Sequence, residues 1–243
     1  MTISLPDIHL SDIRYAPGGA VVLDGISLDL SARRIGVVGR NGSGKTSLAR
    51  LMAGLLPADQ GLLRIAGVDV AADRKAALGT VGILFQNPAH QIIFPSVEEE
   101  LSFGLRQMGH SKAEAEAGVT AILAQFDKSH WPKAPIVELS QGQRQLVCLM
   151  AVLAMGPKVI ILDEPFAGLD IPTAAQLQRV LAGLDQTLVL ITHHPDTLQS
   201  YDHIVWIDEG RVAQQGTPAQ VIPAFTERML ALGGGDDLSD LPR

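Results

Sequence analysis

The sequence predicts an α/β fold: a core of mostly parallel sheet, an antiparallel β-subdomain on its N-terminal side and an α-helical subdomain inserted into it. Three stretches carry that expectation. Arg34 to Val38 is a short apolar, β-branched run that passes through a glycine-rich loop into a helical pattern with Leu48, Leu51, Met52 and Leu55 on one face. Ile3 to Leu30 alternates in short runs, as antiparallel strands do. From about residue 87 to 155 the pattern turns from strand-rich to helical.

Composition narrows the class. A chain of 243 residues, 47% of them hydrophobic, can bury one sizeable core or one domain with a subdomain. No run approaches the roughly 18 apolar residues that cross a bilayer, and Met1 to Leu10 lacks the pattern of a signal peptide, so an intracellular soluble protein is expected. The single cysteine, Cys148, lies in an apolar helical stretch and reads as a buried structural thiol. A net charge of −7 without a long basic run argues against a nucleic-acid surface.

In chain order, Ile8-His9-Leu10, Val21-Val22-Leu23 and Ile26 to Leu30 are strands broken at Pro17-Gly18-Gly19. Tyr15, just before that turn, is either core or a ring that stacks on a purine. After the glycine loop and its helix come strand-like Leu62 to Ile65, Val68 to Val70 and Gly79 to Leu84, the last stopped by Asn87-Pro88. Gln86 there is either a polar cap or a group that reaches a metal-bound water. Ser96-x-x-Glu99 and Ser111-x-x-Glu114 fit capping boxes ahead of two helices, and Ser140 is placed to cap a third that runs to about Met155. Val159 to Leu162 is a buried strand ending in Asp163-Glu164, and Asp170 can cap the helix carrying Leu177, Val180, Leu181 and Leu184. Leu188 to Ile191 is another strand, ending at Thr192-His193-His194, and two further strands precede a short helix opened by Thr217-Pro218. The expected division is one domain over 1–230, with 1–86 and 156–222 as core, 87–155 as helical subdomain, and a flexible tail over 231–243.

Gly39-Arg40-Asn41-Gly42-Ser43-Gly44-Lys45-Thr46 fits G-x-x-x-x-G-K-[ST]. Its glycines let successive N–H groups converge on one anion, and the helix start adds positive potential. Lys45 supplies a point charge for phosphates, and Thr46 offers a hydroxyl to Mg²⁺. Two carboxylates at a strand end suit a metal ligand, Asp163, beside a group that orients or deprotonates water, Glu164. A histidine at the next strand end can bond a γ-phosphoryl group, and residue types alone leave His193 and His194 both open.

In order and spacing these stretches resemble the nucleotide-binding subunit of ABC-type ATPases, over roughly residues 5 to 222. Gly39 to Thr46 resembles the Walker A loop, which Ser47 follows, Gln86 the Q-loop, and Leu139 to Gln143 the signature with Ser140, Gly142 and Gln143. Val159 to Glu164 resembles Walker B with its catalytic glutamate, Ala167 to Asp170 the D-loop, and His193 the switch histidine. The resemblance implies ATP and Mg²⁺ as ligands, Tyr15 stacked on adenine, Thr46, Gln86 and Asp163 around the metal, and Lys45, Gln86, Glu164 and His193 in catalysis. It further implies a head-to-tail homodimer in which one chain's signature completes its partner's site. Phe85 to Phe94 and Val97 to Glu100 are similar to ATPases of energy-coupling factor transporters. Ala32 to Gly39 and Ser140 to Met155 are similar to the biotin-transporting branch, with cobalt and nickel ATPases as near relatives. That implies a membrane coupling (T) protein and a substrate-binding (S) membrane protein as partners at the cytoplasmic face of the membrane. A soluble ABC ATPase acting on ribosomes or nucleic acid, and a regulatory module without turnover, are the competing classes. Two residues depart from the commonest pattern: Gln141 replaces glycine in the signature, and Ala167 replaces the serine often found in the D-loop.

Overall fold

The computed structural model describes residues 5–233. Strand β1 (Ile8–Tyr15) pairs antiparallel with β2 (Leu23–Leu30) and, on its other side, with β4 (Gln60–Ile65), which carries the short β5 (Val68–Asp69). The period-2 pattern sets which face is buried: Ile26, Leu28 and Leu30 point inward, with Ile8 and Leu10 beside them.

The second sheet has the order β10-β9-β3-β8-β7-β6. Strands β3 (Arg34–Val38), β6 (Val81–Leu84), β7 (Val159–Asp163), β8 (Thr187–Ile191) and β9 (His203–Asp208) are parallel, and β10 (Arg211–Gly216) closes one edge antiparallel. These strands are apolar on both faces because both are covered. Ile35, Val37, Val159, Ile161, Val189, Ile191 and Val205 join a core with β1, β2 and helix α1 (Lys45–Met52). The intervening residues Ile160, Leu162, Leu188, Leu190, Ile204 and Trp206 join a second core with the helices on the other face. Those are α3 (Val97–Gln107), α4 (Lys112–Gln125) and α5 (Gln141–Ala154), all between β6 and β7 in the chain, then α6 (Ile171–Ala182) and α7 (Pro218–Gly233). Cys148 is buried in α5, and burial pushes its thiol up to about 12.

The structure differs from the sequence reading in several places. Helix α1 stops at Ala53: Gly54, at φ +70°, lets the amides of Gly54 and Leu55 bond back to the Leu51 and Arg50 carbonyls, so Leu55 leaves the apolar face and is 50% exposed. Ser111 and Glu114 form the expected capping box, but Ser96 makes no side-chain cap. Its helix has no need of one, because the amides of Val97 and Glu98 already donate to the Ala134 and Pro132 carbonyls at 3.2 and 2.9 Å, and the Ser96 hydroxyl turns to Glu99. A short helix α2 (Arg74–Leu78), capped by Asp73, was not anticipated. The last helix continues to Gly233, anchored by Val221, Ile222 and Phe225, whose ring meets Trp206 edge-on at 5.6 Å. Part of the expected tail over 231–243 is thus helical, and 234–243 lie outside the described residues.

Between β6 and α3 the chain is held by a buried carboxylate. Glu100, 6% exposed, accepts the amides of Ile93 and Phe94 on one oxygen, at 2.9 and 3.0 Å. Glu100→Ala should cost about 1–3 kcal/mol in urea unfolding by leaving both donors unpaired, whereas Glu100→Gln, which keeps a carbonyl acceptor, should retain most of that stability.

Candidate functional site

Parallel register brings the site together. Val37 of β3 lies level with Ile191 of β8, and Ile191 with Asp163 of β7, so these strands end at one height. Leu84 lies level with Leu162, which puts Gln86 and Glu164, each two residues further on, at the same rim. A cavity of about 350 Å³ opens there, lined by Asn41, Gly42, Gly44, Lys45, Thr46, Ser47, Gln86, Asp163, Glu164, His193 and Val22. This is the carboxyl edge at which open parallel sheets take ligands.

The glycine loop enters α1 through Gly44 at φ +99°, a backbone that a side chain would strain and for which its Cβ would have no room, 2.6 Å from Leu23 Cδ2. Lys45 is 7% exposed, and its ammonium donates to the carbonyls of Gly39 and Arg40 at 2.7 Å each. Burial pulls its pKa below the ordinary lysine value, against the opposing pull of Glu164 and Asp163. Asp163, 5% exposed, accepts from the Thr46 hydroxyl at 3.4 Å, and burial raises its pKa above the ordinary carboxylate value despite that bond. Both charges are therefore desolvated beyond what their present partners compensate, which leaves them poised for a ligand of mixed charge.

Glu164 turns the chain at φ +48°, an uncommon conformation for a residue with a side chain, and its amide donates to the Ile191 carbonyl at 3.0 Å. Three donors fix its carboxylate. The His193 amide and ring Nδ1 reach Oε1 at 2.9 and 2.6 Å, and the Thr192 hydroxyl reaches Oε2 at 3.2 Å. A carboxylate so held is an oriented acceptor suited to positioning a water. Of the two adjacent histidines it is the ring of His193 that meets Glu164, while the His194 amide donates to Thr192 Oγ1 at 3.0 Å. Thr192 was not singled out by the sequence, although its place directly before the histidines was a usable signal. Val22, which follows the first turn and stands half-buried at the cavity wall, carried no such signal.

Other expected site residues lie elsewhere. Gly39 is buried behind the loop, and Ser43, 5% exposed, has a hydroxyl without a hydrogen-bond partner. Tyr15 is half-buried against the core between the two sheets and does not line the cavity. Ser140, Gly142 and Gln143 line a separate cavity of about 470 Å³ with Lys128, His130, Trp131 and Thr173. Ser140 and Gln143 cap each other's backbone amides there, and Asp170 caps α6 by accepting from the Thr173 amide at 2.9 Å. One chain does not bring these groups to the glycine loop.

Two outcomes follow from this geometry. His193→Ala should lower turnover about 10²- to 10³-fold, while His194→Ala should stay within about three-fold, because of the two rings only that of His193 bonds Glu164. Asp163→Asn should reduce turnover at least about 100-fold yet raise the unfolding midpoint without nucleotide. A carboxyl whose folded pKa is raised by burial penalises the folded state once ionised, so the wild-type protein loses stability as pH rises through its titration range. The gain from asparagine should therefore be largest at neutral pH and shrink in acid, where Asp163 takes up a proton.

The sequence model of the ABC transporter family matches residues 23–167. The chain is 49% identical over 225 residues to the biotin transport ATP-binding protein BioM of Rhodobacter capsulatus, covering 93% of this chain and 96% of the relative. It is 34% identical over 223 residues to the energy-coupling factor transporter ATP-binding protein EcfA of Methanococcus maripaludis, covering 88% and 80%. Among solved structures, cbiO1 of Clostridium perfringens, part of the ABC transporter complex cbiONQ, superposes with a TM-score of 0.76 at 30% identity, covering 93% of this chain and 94% of that one. Together with a glycine loop, strand-end carboxylates and a histidine gathered at one sheet edge, these likenesses place the chain in the ABC transporter family, as an ATP-binding subunit that hydrolyses ATP.

Proposed function

We propose that this chain energises a membrane importer of the energy-coupling factor type, with biotin as its cargo. The observation that carries the reading is the gathering of the glycine loop, Lys45, Thr46, Gln86, Asp163, Glu164 and His193 at one cavity, in a chain 49% identical along nearly its whole length to a biotin transport ATP-binding protein. The likeness to a cbiONQ subunit supports the transporter class and says nothing of cargo here.

In this reading the ATP phosphates draw the Lys45 ammonium away from the Gly39 and Arg40 carbonyls, and the amides of residues 41–47 wrap the anion. Glu164, its carboxylate fixed by His193 and Thr192, orients the attacking water and takes its proton. The donor set at Thr46 and Asp163 fits Mg²⁺: both offer hard oxygens, they converge, and the buried carboxylate wants a counter-charge. Gln86 lines the same cavity as these two oxygens, and among the described residues no group of three or more His, Cys, Asp or Glu gathers to hold a metal. When bound, that ion would neutralise charge on the phosphates.

The remaining parts of the site come from a second copy. Ser140, Gly142 and Gln143 face a separate cavity, with Asp170 capping the helix whose Thr173 also lines it, and a head-to-tail homodimer would bring these groups onto the other chain's nucleotide. Tyr15 belongs to the nucleotide's base end in this arrangement. Residues 1–230 act as one domain, with 87–155 meeting the membrane partners, a coupling (T) protein and a substrate-binding (S) protein. That surface carries exposed apolar groups: Ile93 is 67% and Phe103 36% exposed, the latter ring 5.2 Å from Phe94, next to the segment that begins at Gln86. No helix of the described residues is long and apolar enough to cross a membrane, so these partners would hold the chain at the cytoplasmic face.

Glu164→Gln should lower turnover about 10²- to 10⁴-fold and accumulate an ATP-bound dimer in size-exclusion chromatography. Hydrolysis at the parental rate would require another base. Purification of the tagged protein from its host's membranes in mild detergent should recover two small membrane proteins with biotin. A metal ion in place of biotin would reassign the cargo, and ribosomes without a membrane partner would overturn the transport reading.

A further inference from the structure

The two residues that depart from the family's commonest pattern touch each other. The Gln141 amide Nε2 donates to the Ala167 carbonyl at 3.2 Å across 26 residues of sequence. The carboxamide also lies against the next residue: a Cβ on Gly168, which sits at φ +71°, would stand 2.8 Å from that same nitrogen. One residue further along α5, a Cβ on Gly142 would stand 2.3 Å from Thr173 Cγ2, so the starts of α5 and α6 are packed face to face. On the other side of the Ala167 peptide, its amide donates to the Glu164 carbonyl at 3.1 Å. A continuous path of bonds thus runs from the start of α5, through Ala167, to the residue whose carboxylate faces the nucleotide cavity.

We infer that Gln141 is a positioning residue that ties the α5 start to the 165–170 loop of the same chain, so that both meet the second copy's nucleotide as one preformed face. The inference rests on the head-to-tail closure proposed above. Its physical content is entropic. Glycine at position 141 would leave the two segments to be ordered separately on closure, whereas an existing bond removes part of that cost before ATP binds. Gln141 is exposed, so the bond adds little to the stability of the single chain, and its effect falls on closure.

The test uses the full chain with Glu164→Gln to trap the closed dimer, with and without Gln141→Ala or Gln141→Glu, the latter keeping the length but having no proton to donate. The ATP concentration at half-maximal dimer formation should rise about three- to ten-fold in both double variants, the equivalent of one net hydrogen bond. Thermal midpoints of the nucleotide-free proteins should hardly change. Hydrogen exchange at the amides of residues 167–169 should speed up by a similar factor in the nucleotide-free single variants. Unchanged dimer midpoints, or an unchanged exchange rate, would overturn the role given to Gln141. Failure of the Glu164→Gln protein itself to dimerise with ATP would instead remove the closure reading, while exchange in the free chain would still decide whether Gln141 holds the loop.

Discussion

Level parallel pairing of β3, β8 and β7 is the constraint on which the rest of this molecule depends. With Val37, Ile191 and Asp163 in one row, a glycine loop, a pair of carboxylates and a histidine that are far apart in sequence leave the sheet at the same height. A slip of one residue in any of these pairings would turn a strand's side chains over, sending Ile161 and Val189 to the wrong core and withdrawing a ligand-facing group together. The two cores, one on each face, make that slip expensive.

The site is built at a cost that the fold absorbs. A buried lysine bonded only to carbonyls, a buried aspartate with a raised pKa and a glutamate at positive φ each oppose folding. None would persist on an isolated helix or strand. They persist because the surrounding strands are fixed by apolar burial, and the cost of the buried lysine diminishes when the nucleotide's phosphates arrive. Nucleotide affinity and the stability of the empty chain are therefore set against each other at the same few side chains.

The capped start of α5 and the glycine loop open onto separate cavities of the one chain. The helical segment between β6 and β7 carries both α5 and the apolar surface around Phe103, while Gln145 of α5 donates to the Phe85 carbonyl at 3.3 Å. That segment is thus tied by direct contact to the chain just before Gln86.

The sequence by itself determined what depends on near neighbours: the glycine loop, whose spacing alone shapes an anion cradle, the strand ends marked by carboxylates, the Ser111, Ser140 and Asp170 caps, and the apolar alternation that assigns residues to two faces. It placed the strands well for the same reason. What only the tertiary structure decided depends on groups distant in sequence. Which of two adjacent histidines meets Glu164 follows from how the chain leaves β8. Ser96 loses its cap because residues 132 and 134 supply carbonyls first, and the middle of α7 is seated through Phe225 on Trp206 of a neighbouring strand. Gln141, marked in sequence only as a departure from the commonest signature, turns to the Ala167 carbonyl. Local patterns carry the chemistry of a residue, but its partner is chosen by the packing of elements far apart in the chain, where no short-range signal records the choice.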